Sequence, residues 1–169
     1  MILFFDTETT GLYNARIVEL AALLTDENGN RLSSFSALID HHEPIPEEAT
    51  AIHGITTEMC SNGGIPLTVA LDMFLALHDR CNLLVAHNLS FDLRMVTAAR
   101  VFTPVKTYCT MMNSVRVCGL KNKNGASKWP RLSEAYQIIC GKELIGSHRA
   151  MADTLACSSI FFKLNQKGE

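Results

Sequence analysis

Two carboxylates stand at the end of an apolar segment near the start of the chain. Residues 1–5 are all apolar, and Asp6 and Glu8 follow at a spacing of two. On a strand this spacing places both side chains on one face, roughly 6–7 Å apart. Two neighbouring anions at the end of a buried strand need a cation between them, and Mg²⁺ or Mn²⁺ prefers carboxylate oxygens. This segment alone leaves two interpretations open: a metal site, or a strand that ends at Phe5 with both acids in solvent.

Two further aspartates occupy helix faces that are otherwise apolar. Asp92 begins a stripe that continues with apolar residues three, four and seven positions later. Asp153 begins a similar stripe, which continues three, seven and eleven positions later. Taken alone, Asp92 is also explained as a first-turn acid that complements the helix dipole. Four inward acids in one small domain, however, indicate a site for one or two divalent cations.

A histidine precedes the last of these acids. Two divalent ions about 4 Å apart can hold a phosphodiester and activate a water for its hydrolysis. His148 lies five residues before Asp153, and an imidazole with a pKa near 6.5 suits the role of the base. The alternative is a surface histidine in a Gly-Ser-His loop.

The elements that must position these residues follow an α/β pattern. Apolar segments at 1–5, 15–25 and 32–39, with a turn at 26–30, predict three strands in an antiparallel meander. A helix with Pro46 at its first position is predicted to end near Gly54, and a second helix is predicted over 65–80. Strands are predicted at 83–86 and 105–109, with a helix over 91–101 between them that has Ser90 as N-cap. The rest is predicted to be an irregular segment at 113–129 and helices over 132–140 and from 148 or 149 to 165.

Composition limits the classes of protein that the chain can belong to. It has 169 residues, of which 47% are hydrophobic, and a formal net charge of −2. These values predict one domain, 1–169, without a strongly basic nucleic-acid-binding field. Six scattered cysteines predict reduced thiols in a cytoplasmic protein. No segment reaches the roughly 20 apolar residues that a membrane span needs, and neither a signal peptide nor a polymerase-binding tail is expected.

Three segments of the chain resemble the three motifs of one enzyme family. They are Asp6-Thr7-Glu8, His87-Asn88-Leu89-Ser90-Phe91-Asp92 and His148-Arg149-Ala150-Met151-Ala152-Asp153. In type and order they resemble the motifs of the DEDDh (DnaQ-like) 3′–5′ exonuclease family, whose third motif reads H-x-A-x-x-D. The resemblance covers nearly the whole chain, and all five catalytic positions match.

The resemblance implies a fold, a cofactor and a set of site residues. The implied fold is ribonuclease H-like, with a mixed five-stranded sheet and helices on both sides. The implied ligands of two Mg²⁺ or Mn²⁺ ions are Asp6, Glu8, Asp92 and Asp153, and the implied general base is His148. The implied substrate contacts are Thr9, Gly11 and Leu12 along the terminal nucleotide, together with His53, Ile55 and Asn88. For His53, which precedes Gly54, a helix C-cap is the alternative.

The expected reaction is hydrolysis of the 3′-terminal phosphodiester of mainly single-stranded DNA, with release of nucleoside 5′-monophosphates. One alternative is an RNA-trimming exoribonuclease with the same site. Another is a non-catalytic module that binds nucleic-acid ends or docks on a polymerase, although this alternative predicts an incomplete acid set. The basic loop Lys121–Arg131 contains Trp129 and could guide a single strand. The preferred interpretation is a solvated loop whose Trp129 packs on the core, and Phe91 is likewise predicted to be a core residue.

Overall fold

The computed structural model describes residues 1–166, so the last three residues of the predicted domain 1–169 lie outside the described part. The elements in chain order are β1 (Ile2–Thr9), β2 (Ile17–Thr25), β3 (Arg31–Leu38), α1 (Glu47–His53), α2 (Thr57–Gly63), α3 (Leu67–His78), β4 (Leu83–Ala86), α4 (Leu89–Ala99), β5 (Lys106–Cys109), α5 (Thr110–Cys118), α6 (Leu132–Cys140) and α7 (Ala150–Asn165).

The five strands form one sheet in the order β3-β2-β1-β4-β5. β1 pairs antiparallel with β2, and β2 pairs antiparallel with β3, which confirms the predicted meander. β4 is parallel to β1, and β5 is parallel to β4. The sheet is therefore mixed, and β1 lies at its centre with a neighbour on each side.

Helices cover both faces of the sheet. The apolar side chains of β1 alternate between the two faces, so each face has to be covered. Leu3 and Phe5 pack into the larger core with α3 and α4, where the rings of Phe5 and Phe74 lie 5.2 Å apart. Phe4 faces α7 and meets Phe161 edge-to-face at 5.4 Å. The predicted ribonuclease H-like α/β fold is confirmed.

Several predicted boundaries were wrong. β1 continues to Thr9, so both N-terminal acids lie within the strand and not in a loop beyond Phe5. Pro46 is the N-cap of α1, where the sequence predicted the first helical position. α4 begins at Leu89 with Asn88 as N-cap, because the Asn88 carbonyl accepts the first intrahelical hydrogen bonds, and Ser90 is already helical.

Two short helices were not predicted. α2 begins after Thr56, whose hydroxyl accepts a hydrogen bond from the Met59 amide at 3.1 Å. α5 fills the first part of the segment that was predicted to be irregular. Both helices bury few residues, so the sequence carries no apolar stripe that would reveal them.

The six cysteines are all free thiols, as predicted. Within residues 1–166, no helix combines the length and the apolar character that crossing a membrane requires.

Candidate active site

The four predicted acids lie near one another at one end of the sheet, where β1 and β4 finish. β1 and β4 are parallel, and their carboxyl ends face the same way, as is usual for ligand sites in open α/β sheets. Asp6 and Glu8 lie in the last half of β1, while Asp92 and Asp153 lie in the first turns of α4 and α7. Asp92 and Asp153 are 3% and 8% exposed, which is rare for carboxylates without a compensating partner.

Asp92 is fixed by the strand that carries the other two acids. The Thr7 amide and hydroxyl both donate to Asp92 Oδ1, at 3.1 and 2.7 Å. Thr7 faces the α4 side of the sheet, between the two acids that face α7. This role of Thr7 was not predicted, although its place between Asp6 and Glu8 was visible in the sequence.

The electrostatics of this cluster disfavour four simultaneous negative charges. Burial raises the pKa of Asp6 well above its usual range, and the charges of Asp92 and Asp153 raise it further. Burial raises the pKa of Glu8 to about 8 and that of Asp153 to about 6. It raises the pKa of Asp92 to about 7, even though hydrogen bonds from Thr7 lower it.

The donor set fits divalent metal ions. Asp153 Oδ1 is buried and has no hydrogen-bond partner among the described residues, so it is available as a ligand. Ligand atoms of Glu8, His148 and Asp153 all lie within 4.8 Å of one another. Carboxylate oxygens are the ligands that Mg²⁺ and Mn²⁺ prefer, and a cation removes the mutual repulsion of the acids.

His148 reaches this cluster from an exposed loop before α7. Its backbone amide donates to Asp153 Oδ2 at 3.1 Å. Its φ is +64°, in the left-handed region that residues other than glycine rarely adopt. The predicted base therefore lies beside two of the predicted ligands, in a conformation that the surroundings must maintain.

The segment after β1 borders an open cleft. The Thr10 hydroxyl and the Arg16 amide close the loop with a hydrogen bond of 3.0 Å, and the Leu12 side chain is 68% exposed. Gly11 has φ +151°, and no atom of residues 1–166 lies within 4 Å of the position that a Cβ would take. A cavity of about 500 Å³ lies beside this loop and is lined by residues 12–17, His41, Leu67 and one face of α4.

The other predicted substrate contacts lie in different environments. His53 is buried beside Thr9, and its Nδ1 accepts a hydrogen bond from the Ile55 amide at 3.0 Å. The His53 Nε2 then carries the proton. It makes no hydrogen bond of normal geometry within residues 1–166, but the ring is close to the Thr9 backbone: burial lowers the pKa of His53 and the Thr9 backbone raises it. Gly54 is the left-handed C-cap of α1, so the helix C-cap that was the alternative interpretation of this segment is confirmed. Asn88 is exposed at the N-cap of α4.

Ile55 was also predicted to contact the substrate, and its side chain lies in the protein interior. Ile55 is fully buried in a small apolar cluster with Val18 and Cys60. Its side chain stabilises the packing of the segment after α1 on the sheet, and only its backbone bears on the site, through the hydrogen bond to His53.

The basic loop differs from the preferred interpretation. Trp129 is 65% exposed and does not pack on the core, so that prediction was wrong. The neighbouring Pro130 carbonyl accepts a hydrogen bond from His87 Nε2 at 3.0 Å, which ties the loop to the residue after β4. Burial lowers the pKa of His87 to about 4, so this imidazole is neutral. Phe91 is half-buried against the larger core, largely as predicted.

An ion pair between a buried carboxylate and an exposed arginine beside the site was missed. Glu19 on β2 lies opposite Glu8 in the strand register and binds Arg149, the residue that follows His148. The signal was present in the sequence, because Glu19 is the single charged residue of an otherwise apolar strand.

A mixed α/β sheet with clustered carboxylates and an adjacent histidine is the arrangement expected of a nuclease of the ribonuclease H-like class. Residues 3–161 match the model of the RNase_T family, which is described as exonuclease. The chain belongs to this DnaQ-like 3′–5′ exonuclease family.

Individual relatives agree with this assignment. The chain is 30% identical to a DNA polymerase III subunit epsilon-like protein of Rhodobacter capsulatus, over 95% of this chain and 23% of the relative. It is 31% identical to the uncharacterized exonuclease CP81 of Escherichia phage 186, over 89% of this chain and 81% of the relative. A PolC-type DNA polymerase III of Bacillus subtilis is 28% identical, and the match spans 11% of its length.

Solved structures show the same fold. Exonuclease I of E. coli in complex with a dA16 oligonucleotide superposes with a TM-score of 0.76 at 19% identity, over 98% of this chain and 41% of that one. A product-bound exonuclease I gives a TM-score of 0.78 at 18% identity, over 98% of this chain and 43% of that one. The chain thus spans less than half the length of these neighbours.

Proposed function

We propose that this domain hydrolyses the 3′-terminal phosphodiester of single-stranded DNA and releases nucleoside 5′-monophosphates, using two Mg²⁺ or Mn²⁺ ions. The observation that carries the proposal is the convergence of Asp6, Glu8, Asp92 and Asp153 at the carboxyl ends of β1 and β4. Their raised pKa values mean that the metal-free cluster is partly protonated near neutral pH, and a bound cation would favour the fully ionised form.

The side chains divide the work of the reaction. The four carboxylates hold the ions, which when bound supply Lewis-acid stabilisation of charge on the phosphate and on the leaving oxygen. His148, within 4.8 Å of the Glu8 and Asp153 ligand atoms, accepts the proton of the attacking water. The ring of His53 lies close to the Thr9 backbone and its Nε2–H makes no hydrogen bond of normal geometry within residues 1–166, so it is placed to donate to an oxygen of the terminal nucleotide.

The surroundings of the site favour a single strand. A cavity of about 500 Å³ beside Leu12 and Tyr13 has room for an unpaired terminal nucleobase. Trp129, exposed on a loop that contains Lys121 and Lys123, offers a stacking surface and phosphate contacts for nucleotides further along the strand. In the neighbouring structures, exonuclease I carries single oligonucleotides such as dA16, which supports the same substrate class here.

Location and partners are part of the same proposal. Free thiols at all six cysteines support the cytoplasmic location predicted from the sequence. The polymerase names of the relatives favour a DNA polymerase as a protein partner, although this chain spans only 23% and 11% of two of them.

The test of the proposed function is a digestion of matched oligonucleotides. Single-stranded DNA labelled at its 5′ end should shorten one nucleotide at a time in Mg²⁺, because hydrolysis begins at the free 3′ end. The small product should be a nucleoside 5′-monophosphate, identified by mass spectrometry. A 3′-phosphorylated strand and a blunt duplex of the same sequence are the controls and should react more slowly.

The same assay decides between the candidate polymers. RNA of the same sequence should be degraded more slowly than DNA if the proposal is correct. Faster degradation of RNA would assign the domain to RNA trimming, and release of mononucleotides from the 5′ end would contradict the proposal itself.

A further inference from the structure

A buried carboxylate on β2 holds the chain next to His148. Glu19 is 3% exposed and lies directly opposite Glu8 in the β1–β2 register. Like charges in directly opposed positions of a sheet are unfavourable, and Glu19 adds to the repulsion that raises the pKa of Glu8. A residue that served only to pack the strand would be better apolar, as the remainder of β2 largely is.

Both oxygens of Glu19 are occupied by hydrogen bonds from the start of α7. Arg149 donates through Nε to Oε2 at 3.1 Å and through Nη2 to Oε1 at 2.8 Å. The Ala150 amide donates to Oε2 at 2.9 Å, and the Ser36 hydroxyl donates to Oε1 at 3.2 Å. A two-pronged arginine–carboxylate pair fixes the orientation of the guanidinium plane as well as its distance.

These contacts bear directly on His148, because Arg149 and Ala150 are the next two residues. The loop before them offers little packing, since residues 145–149 are all exposed. His148 nevertheless adopts a left-handed backbone conformation, with φ +64°. Its amide is held by Asp153, and the residues after it are held by Glu19, so the backbone is fixed on both sides of its Cα.

We propose that Glu19 and Arg149 form a latch that positions the His148 imidazole for proton transfer. Neither residue touches the reacting atoms, so both are positioning residues and not catalytic ones. This inference rests on the proposed function, in which His148 is the base.

The test compares Arg149→Lys in two backgrounds. Lysine keeps the charge but cannot form the two-pronged pair. In the otherwise unchanged protein, Arg149→Lys should lower kcat on single-stranded DNA by about 10- to 100-fold, as expected for a displaced catalytic group, with KM within about twofold. In a His148→Ala background, the same substitution should cause no further loss. Arg100→Lys is the matched control, because Arg100 forms a surface pair with Asp72 at 2.8 Å, and it should leave kcat unchanged.

A second readout does not depend on activity. In the NMR spectrum of the metal-free protein, Arg149→Lys and Glu19→Gln should each shift or broaden the His148 ring signals, which His148→Ala identifies. The signals of His87, which is held by Thr110 and Pro130, should not move and report that the fold is retained.

Two results would contradict the proposal that Glu19 and Arg149 position His148. An equal loss of kcat in the His148→Ala background would mean that Arg149 acts on something other than His148, and unchanged His148 ring signals in both variants would mean that its position does not depend on the pair. Failure of the proposed function is distinguishable, since the unsubstituted protein would then release no nucleotide while the NMR comparison would still report on the latch.

Discussion

At the scale of single residues, the site is a set of acids that repel one another in the absence of metal. Burial is the largest cause of each raised pKa among Asp6, Glu8, Asp92 and Asp153, and their mutual charges add to it. The folded protein therefore binds protons at these groups more tightly than the unfolded chain does. Its stability must depend on pH in the opposite sense to that of a protein with salt-bridged carboxylates.

This pH dependence can be measured on the metal-free protein. With folded-state pKa values of about 6 to 8 and ordinary values near 4, the stabilising protonation is complete below about pH 4 and is lost as pH rises to about 8. Among the site acids alone, this lowers the free energy of unfolding by on the order of 5 kcal/mol between pH 5.5 and 8, or roughly 10–20 °C in Tm.

A bound metal ion and the removal of one acid should both offset the loss of stability at high pH. Mn²⁺ should raise Tm more at pH 8 than at pH 5.5, because the ligands are then ionised. Asp153→Asn should raise the Tm of the metal-free protein at pH 8, since it removes one repelling charge, and should reduce the gain from Mn²⁺. A metal-free protein with the same Tm at both pH values, and no response to Asp153→Asn, would contradict the electrostatic account.

The acids were predictable from the sequence because each breaks a local pattern, whereas His148 was selected from its place five residues before Asp153. An acid in an apolar strand or on an apolar helix face is visible without any structure, as for Asp6 and Asp153. Thr7 and Arg149 were not predictable in the same way, since a threonine on a strand and an arginine in a loop fit their surroundings. Their roles depend on residues 85 and 130 positions away.

At the scale of elements, the site depends on the carboxyl ends of β1 and β4 and on the first turns of α4 and α7. The meander and the helices with an apolar stripe were predicted from periodicity, while α2 and α5 were missed because they bury few side chains. The loop after α5 was interpreted wrongly, because the Pro130 carbonyl, and not the side chain of Trp129, ties it to the protein through His87. The sequence does not reveal this tether. That tether places the loop next to the residues that follow β4.

The exposed tryptophan yields a prediction for substrate binding. Trp129→Ala should raise KM for single-stranded DNA by about 5- to 50-fold, because a base that stacks on the indole loses that contact. The kcat at saturating substrate should stay within about twofold, since Trp129 does not touch the metal ligands. Trp129→Phe keeps an aromatic face and should recover most of the affinity. Equal KM values for the alanine variant and the unsubstituted protein would remove the loop from the proposed substrate path.

At the scale of the whole molecule, the chain is an exonuclease domain whose length differs greatly from that of several relatives. It spans 23% of the epsilon-like protein and 41% of exonuclease I, but 81% of the phage 186 exonuclease. The fold is shared with exonuclease I, and residues 3–161 match the model of one exonuclease family. Substrate choice and protein partners depend on surfaces outside the four acids, which is why motifs alone did not distinguish DNA from RNA.

The central claim is that the clustered acids perform hydrolysis at the 3′ end, and one measurement tests it most directly. The rate of nucleotide release from 5′-labelled single-stranded DNA is measured in Mg²⁺ for the unsubstituted protein, for Asp153→Ala and for Asp79→Ala, an exposed aspartate that serves as the control. We expect Asp153→Ala to abolish release, and chelation of the metal to do the same, while Asp79→Ala retains the full rate. Unchanged release by Asp153→Ala would contradict the metal site and the mechanism built on it.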